Sequence, residues 1–535
     1  MMNVNFRLYK IIYSVFYISA ILSFASCGNA VSETRSDTVY MHLSSEPGNL
    51  NPVISTDAYE SMINKNIYES LIERDMDTLE LKPLLAQRWE ISPDKLTYRF
   101  YLKKGVLFSD GVEMTADDVI YSYNTIKDPK VASASLKVYF MDIISATKID
   151  KYTVEFKYNK LFYQALEICG TITVIPKHIF NDGTDFNTHK NNRSPVGTGP
   201  YKLEKWETGK RVTLTVNDKN RDKPPVIKKI VYSIISEVNV ALQMLKKGEL
   251  DVMSVRPIQW VRQTNSEKFL KHNYKLTYYL PYFNYIGWNA RRDFFSDRKV
   301  RLAMTHFINR EAILDKLLFG LGKEVTGSFY IFSKAYNDKI KPWPYDPARG
   351  RALLAEAGWK DTDGDGILDK NGKKFRFTFT IASTNKFAER LATILKEDLS
   401  KNGIEMDINR YEWAVFVDKL HKRDFDAVTV GWSLGYSGDP YQLWHSSQTE
   451  NGSNFCYFKN AEADDIIIKS RMEFDEDTRN TMYRRFHEIL HYEQPYTFLF
   501  CTPALSIVSR RFENVKVHIM GLDYREWTIN EKISD

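Results

Sequence analysis

Two stretches carry residue types at spacings that can do chemistry. His487-Glu488-Ile489-Leu490-His491 fits the HExxH pattern, which on a helix sets two imidazoles on one face for a zinc ion, with the glutamate as general base. A third ligand would have to come from Glu513 or Glu526, and Pro495 ends the helix soon after the motif. Met482, Phe486, Ile489 and Leu490 form an apolar face beside the histidines, so an ordinary amphipathic helix is the favoured reading, a zinc peptidase is a minor alternative, and no enzyme is expected. The second stretch, Asp361-Thr-Asp363-Gly-Asp365-Gly366-Ile-Leu-Asp369, sets oxygen ligands at alternate positions as an EF-hand loop begins. Its twelfth position is Gly372, where a bidentate glutamate would stand, so a structural turn is favoured over a weak calcium site at Asp361, Asp363, Asp365 and Asp369. No P-loop, GxSxG or GxGxxG occurs in a suitable context, and no cofactor is expected.

Cys27 is the third reactive group, and its setting is a targeting one. Residues 1–26 open with Arg7 and Lys10, run apolar from Ile11 to Phe24 and end in small residues, the layout of a secretory signal peptide. Phe24-Ala25-Ser26-Cys27 resembles a bacterial lipobox, with Phe24 where leucine is usual. The resemblance implies cleavage before Cys27 and acyl chains on its sulfur and amine, and two or more chains hold a protein stably on a membrane. The polar residues 27–37 then form a tether, and the body sits on the periplasmic or cell-surface side of a bacterial membrane. Cys169, Cys456 and Cys501 are far apart and odd in number, with no CxxC metal knuckle.

What must position any site is a large soluble body. A chain of 535 residues exceeds what one core organises, so two or more lobes are expected. Its 43% hydrophobic and 27% charged residues are ordinary for a folded chain. The net charge of +6, roughly +4 without Arg7 and Lys10, is spread thinly with no basic run to track phosphates, which excludes nucleic acid as the expected partner. Aromatic residues at 14% fit a large core or a cavity walled by flat apolar faces.

The periodicities alternate between the two kinds of element. Residues 97–102, 152–158, 211–216 and 228–235 read as strands, and 57–71, 238–247, 297–318, 347–357 and 387–401 as helices. Thr115-Ala-Asp-Asp118 predicts a capping box and a helix through Tyr123. Along 387–401, Phe387, Leu391, Ile394, Leu395 and Leu399 fall on one face. The pattern predicts mixed α/β lobes joined by ordered crossovers.

Blocks in a fixed order then resemble the peptide/nickel class of ABC-importer solute-binding proteins. They include Glu46-Pro-Gly-Asn-Leu-Asn-Pro52, Phe108-Ser-Asp-Gly111, Gly197-Thr-Gly-Pro-Tyr201, Lys247-Gly-Glu-Leu-Asp251, Asp297-Arg-Lys-Val-Arg301, Gly431-Trp432 and Gln494-Pro-Tyr496. The resemblance implies an α/β fold, a two-lobed periplasmic-binding-protein clamshell with an extra α/β domain. It divides the chain into lobe I (38–62, 158–279 and 500–535), the extra domain (63–157) and lobe II (280–499). It implies a monomer that captures peptides and delivers them to permease subunits, with a nickel chelate, sugar or other solute as the alternative. Family members that bind short peptides place an aspartate for the amino terminus where this chain has Gly435, so that anchor is missing unless Asp439 supplies it, and Lys386 is the candidate for the carboxylate end, in a loop where the dipeptide binders use an arginine. The remaining ligand-binding candidates are Glu46, Pro47 and Gly48, then Tyr285, Trp288 and Asn289, then Trp432 and Ser433.

Overall fold

The computed structural model describes residues 37–530 apart from Thr56, so the signal segment, Cys27 and most of the tether lie outside the described residues. Three sheets organise the rest. A seven-stranded sheet runs in the order Asn273–Tyr278, Ala504–Ser509, Val252–Ser254, Thr38–Leu43, Lys229–Ile234, Arg211–Val216, Tyr201–Glu207. Its centre is parallel, with Thr38–Leu43 between Lys229–Ile234 and Val252–Ser254, and its flanks are antiparallel. A five-stranded sheet runs Glu405–Tyr411, Arg376–Ala382, Ala427–Ser433, Tyr282–Trp288, Tyr496–Phe498, and its first three strands are parallel. A four-stranded antiparallel sheet is built from Ala86–Ile91, Thr97–Leu102, Thr153–Tyr158 and Ile143–Asp150.

The result is a two-lobed clamshell with an added α/β domain. The chain passes between the large sheets over residues 279–281 and again over 499–503, and these passages lie side by side, with Cys501 Sγ 3.7 Å from the Leu280 carbonyl oxygen. The added domain shares one continuous core with the seven-stranded sheet, running from Val39 and Ile230 through Phe100, Phe156 and Cys169. The five-stranded sheet is covered on both faces by separate cores, one around Trp288, Phe295 and Phe379, the other around Tyr285, Trp444 and Phe486.

Local rules explain where elements start and stop. The Thr115 hydroxyl accepts from the Asp117 amide while Asp118 accepts from the Thr115 amide at 2.8 Å, and the helix runs Ala116–Lys127, one turn beyond the expected end. The expected helix over 297–318 is two helices, Arg298–His306 and Arg310–Leu318, because Asn309 caps the second and interrupts the ladder. Lys386–Ser400 buries Ala388, Leu391, Ala392, Leu395 and Leu399, leaving Phe387 half-buried at its start.

Candidate ligand-binding cleft

In α/β sheets, ligands gather outside the carboxyl ends of parallel strands, because chain turns and backbone dipoles converge there. Both lobes turn that end toward the other. On the first lobe, Val255 and Pro257 follow the Val252–Ser254 strand. On the second, Asn385 and Phe387 follow Arg376–Ala382, and Tyr282 pairs with Ser433 at the end of Ala427–Ser433. Between them lies a cavity of about 260 Å³, lined also by Leu318 and Leu321, by Thr502 and Pro503 of the second passage and by Leu505 of the strand that follows.

The strand parity of 282–288 decides which of its residues reach this cavity. Tyr282 and Asn284 line it, whereas Phe283 and Tyr285 point into the core behind. Asn284 Nδ2 donates to the Tyr282 hydroxyl at 2.6 Å. Gly431 makes room for that ring, since a Cβ there would stand 2.2 Å from the Tyr282 oxygen. Asn385 Oδ1 caps the next helix through the Ala388 amide, 3.0 Å away.

The strand beside it has an open edge. Ala427–Ser433 pairs with Tyr282–Trp288 along its whole length, but on its other side only Ala427 and Val428 meet Phe379 and Thr380. From Thr429 to Ser433 that edge carries no ladder among the described residues.

The sequence-predicted residues divide accordingly. Trp432 is half-buried at this edge, layered between Phe455 and Tyr285 with its Nε1 3.4 Å from the Tyr496 hydroxyl, and Ser433 and Gly435 are exposed beside it. Tyr285 and Trp288 are instead core residues: Tyr285 stacks on Tyr496 at 3.8 Å, and Trp288 donates to the Thr497 hydroxyl at 3.0 Å. Asn289 stands at the far end of the strand, bridging the Arg423 and Phe425 carbonyls. Glu46 fastens its loop to the neighbouring hairpin by accepting from Trp206 Nε1 at 2.7 Å and the Gly209 amide at 3.0 Å. Pro47 is buried, and the exposed Gly48 donates to Glu60 Oε1 at 3.1 Å. Lys386 is exposed and paired with Glu389 at 3.3 Å, and Asp439 is turned toward Arg471 Nε, 3.2 Å away. Neither lines the cavity.

The two metal-like motifs have other occupations. His487 is buried, with Nδ1 accepting from the Asn337 amide at 3.1 Å and Nε2 2.9 Å from the Thr326 hydroxyl. Both ring nitrogens are thereby used, and no lone pair is left for a zinc ion. His491 stacks on Trp343, Glu488 is held by Arg485, and Glu526 is 3.1 Å from His518 Nε2. Among the described residues, no group of three ligating side chains forms around His487 and His491. In the Asp/Gly loop, oxygens of Asp361, Asp363 and Asp369 do converge within 4.8 Å, but Lys374 Nζ lies 2.6 Å from Asp363 and 2.9 Å from Asp365. An ammonium stands where a cation would, while Asp361 and Asp369 fix the turn through Gly364, Gly366 and Thr362.

Burial pushes His487 down to about 3 and His491 to about 4, so both are neutral in the fold. Groups depressed below their unfolded value of about 6.5 give stability that is complete above that pH and is lost as pH falls toward the folded values. Denaturation midpoints should therefore fall between pH 6.5 and 4, and His487→Gln should flatten that slope. An unchanged slope in the variant would place the acid sensitivity elsewhere.

Two facing lobes with a cleft at their junction are the plan of a solute-binding clamshell, and similarity to known proteins gives the class as the peptide/nickel solute-binding proteins of ABC importers. The model for "Bacterial extracellular solute-binding proteins, family 5 Middle" matches residues 80–454, and the chain belongs to that family. It is 33% identical over 485 residues to the oligopeptide-binding protein AppA of Bacillus subtilis (strain 168), covering 88% of each chain. It is 27% identical over 488 residues to the dipeptide-binding protein of Escherichia coli (strain K12), covering 85% of this chain and 86% of that one. The structure of Bacillus subtilis AppA in complex with a nonapeptide matches with a TM-score of 0.81 at 30% identity, covering 92% of this chain and 99% of that one. NikZ of Campylobacter jejuni in complex with Ni(L-His) matches at 0.80 and 27%, with coverages of 92% and 99%. Among the described residues no helix is long and apolar enough to cross a membrane.

Proposed function

We propose that this protein captures peptides between its lobes and hands them to the permease subunits of an ABC importer, as a monomer anchored through lipid on Cys27. The lobes that close are lobe I (38–62, 158–279, 500–535), carrying the extra domain (63–157), and lobe II (280–499). The observation that carries the peptide reading is the open edge of Thr429–Ser433 at the mouth of the cleft. An extended peptide can add to such an edge as a further strand, the backbone giving affinity and pockets beside it giving selectivity. Similarity to AppA and to the dipeptide-binding protein supports the same reading.

Calorimetry on refolded, ligand-free protein tests it. Oligopeptides should bind, and Trp432→Ala should weaken them by about 2 kcal/mol, roughly thirtyfold, through loss of the aromatic wall beside the edge. If no peptide binds while a nickel chelate or a sugar does, the peptide reading falls and the fold serves another solute.

A further inference from the structure

The junction cavity is uncharged. Its polar groups are the Tyr282 hydroxyl, the Asn284 and Asn385 amides and the Thr502 hydroxyl, and the rest is aliphatic or aromatic, with Leu318 and Phe387 among its walls. Charged groups of the surrounding elements do not line it, among them Lys323, exposed two residues beyond Leu321 with its Nζ 5.8 Å from the Phe332 ring centre. Lys386, next to Asn385, is exposed and paired with Glu389, which also takes Arg410 at 3.3 Å. Asp439 faces Arg471, and Glu46 is taken by Trp206 and Gly209. Arg256, between Val255 and Pro257, is exposed and does not line the cavity. An ammonium or carboxylate placed there would give up water without gaining a counter-charge from the lining.

Size points the same way. At about 260 Å³ the cavity falls below the roughly 300–1,000 Å³ of a pocket that encloses a whole small ligand. It is scaled to part of a ligand, and the strand edge of Thr429–Ser433 begins beside it, where the exposed Ser433 pairs with the lining residue Tyr282. The amides of Asn284 and Asn385 can meet peptide groups on either side of a seated residue, since each keeps a carboxamide atom unbonded among the described residues.

Building on the peptide reading, we infer that the cleft grips the interior of a longer oligopeptide, seats one uncharged apolar side chain in the junction cavity, and leaves both charged chain ends in water. Selectivity then acts on one interior side chain and not on the termini. A dipeptide, whose two charged ends flank every bond, is excluded by the same uncharged lining.

The test uses the purified full-length protein, freed of ligand by unfolding and refolding, and two randomised nonapeptide pools. One pool has free ends, and the other is N-acetylated and C-amidated. Captured peptides are eluted and sequenced by mass spectrometry. Both pools should be retained to within about threefold, with Leu, Ile, Val or Phe enriched at one interior position and Asp, Glu, Lys and Arg depleted there. Retention of the free pool at least tenfold over the blocked one overturns the inference while leaving the peptide reading intact, as does enrichment of charged residues at the selected position. Capture of neither pool sinks both.

Discussion

An alanine at Gly197 should destabilise the protein by about 3 kcal/mol or more, a large fraction of a typical folding free energy. A Cβ at this position would stand 2.0 Å from the Ile67 carbonyl oxygen, which is backbone and cannot swing aside. That oxygen already accepts from the Gly199 amide at 2.8 Å, and Gly199 is itself pressed against the Asn66 carbonyl, 2.5 Å from where its Cβ would be. The end of the Ala58–Ile67 helix and residues 197–199 thus cross with no side chain between them, and the Gly197 carbonyl also receives the Ser109 amide at 2.9 Å. Relief of the clash requires the two backbones to part, breaking these bonds in the core common to the first lobe and its added domain. The control is Gly209→Ala, where φ is +70° and no atom lies within 4 Å, so the cost should be backbone strain of about 1 kcal/mol. Denaturant midpoints for the two variants separate the mechanisms: equal losses would mean that the close approach at Gly197 is not what fixes the glycine.

How much of this was legible in sequence depended on the range of the interaction concerned. The Thr115–Asp118 capping box and the stripe of Leu391, Leu395 and Leu399 are local, and both read correctly. Strand parity at the cleft did not. An alternating run shows which residues share a face, but Tyr282 and Asn284 differ from Phe283 and Tyr285 only in what another element brings against them, and the aromatic Tyr285 and Trp288 were the plausible wall. Their burial by Tyr496 and Thr497 comes from more than 200 residues away. The same holds for the metal-like motifs. Spacing reveals that His487 and His491 share a helical face, but not that Asn337 and Thr326 occupy both nitrogens of the first. The signal available for Asn385 was its place as a cap ahead of an amphipathic helix and after a strand, where ligand loops commonly lie.

Arg471→Met should shift the lobes toward the open form by about 3 kcal/mol, roughly a hundredfold, with peptide affinity falling in step. Arg471 sits where the second lobe meets the added domain. Its Nε is 3.2 Å from Asp439 and its Nη2 3.8 Å from Asp142, its guanidinium lies over the Phe162 and Tyr441 rings, and its carbonyl accepts from the Tyr163 amide at 2.9 Å. Nearby, the Ser437 hydroxyl joins Arg74 and Glu167, and the Ser437 carbonyl accepts from the Tyr163 hydroxyl at 2.7 Å. Burial raises the Asp439 carboxyl, with Arg471 the chief opposing influence and Asp142 adding to the rise. Without the guanidinium, two carboxylates would face each other in a largely dry contact. Opening removes that conflict by returning Asp439 to water, so the cost should appear in the balance between open and closed forms and hardly in the unfolding of either lobe. Small-angle scattering should register a larger radius of gyration for the ligand-free variant. Adding Asp439→Asn should restore the compact form, as should lowering the pH enough to protonate Asp439. If the double variant stays open, the loss comes from packing on Phe162 and Tyr441 and not from the stranded charge. If the single variant stays compact, Arg471 does not hold the lobes together.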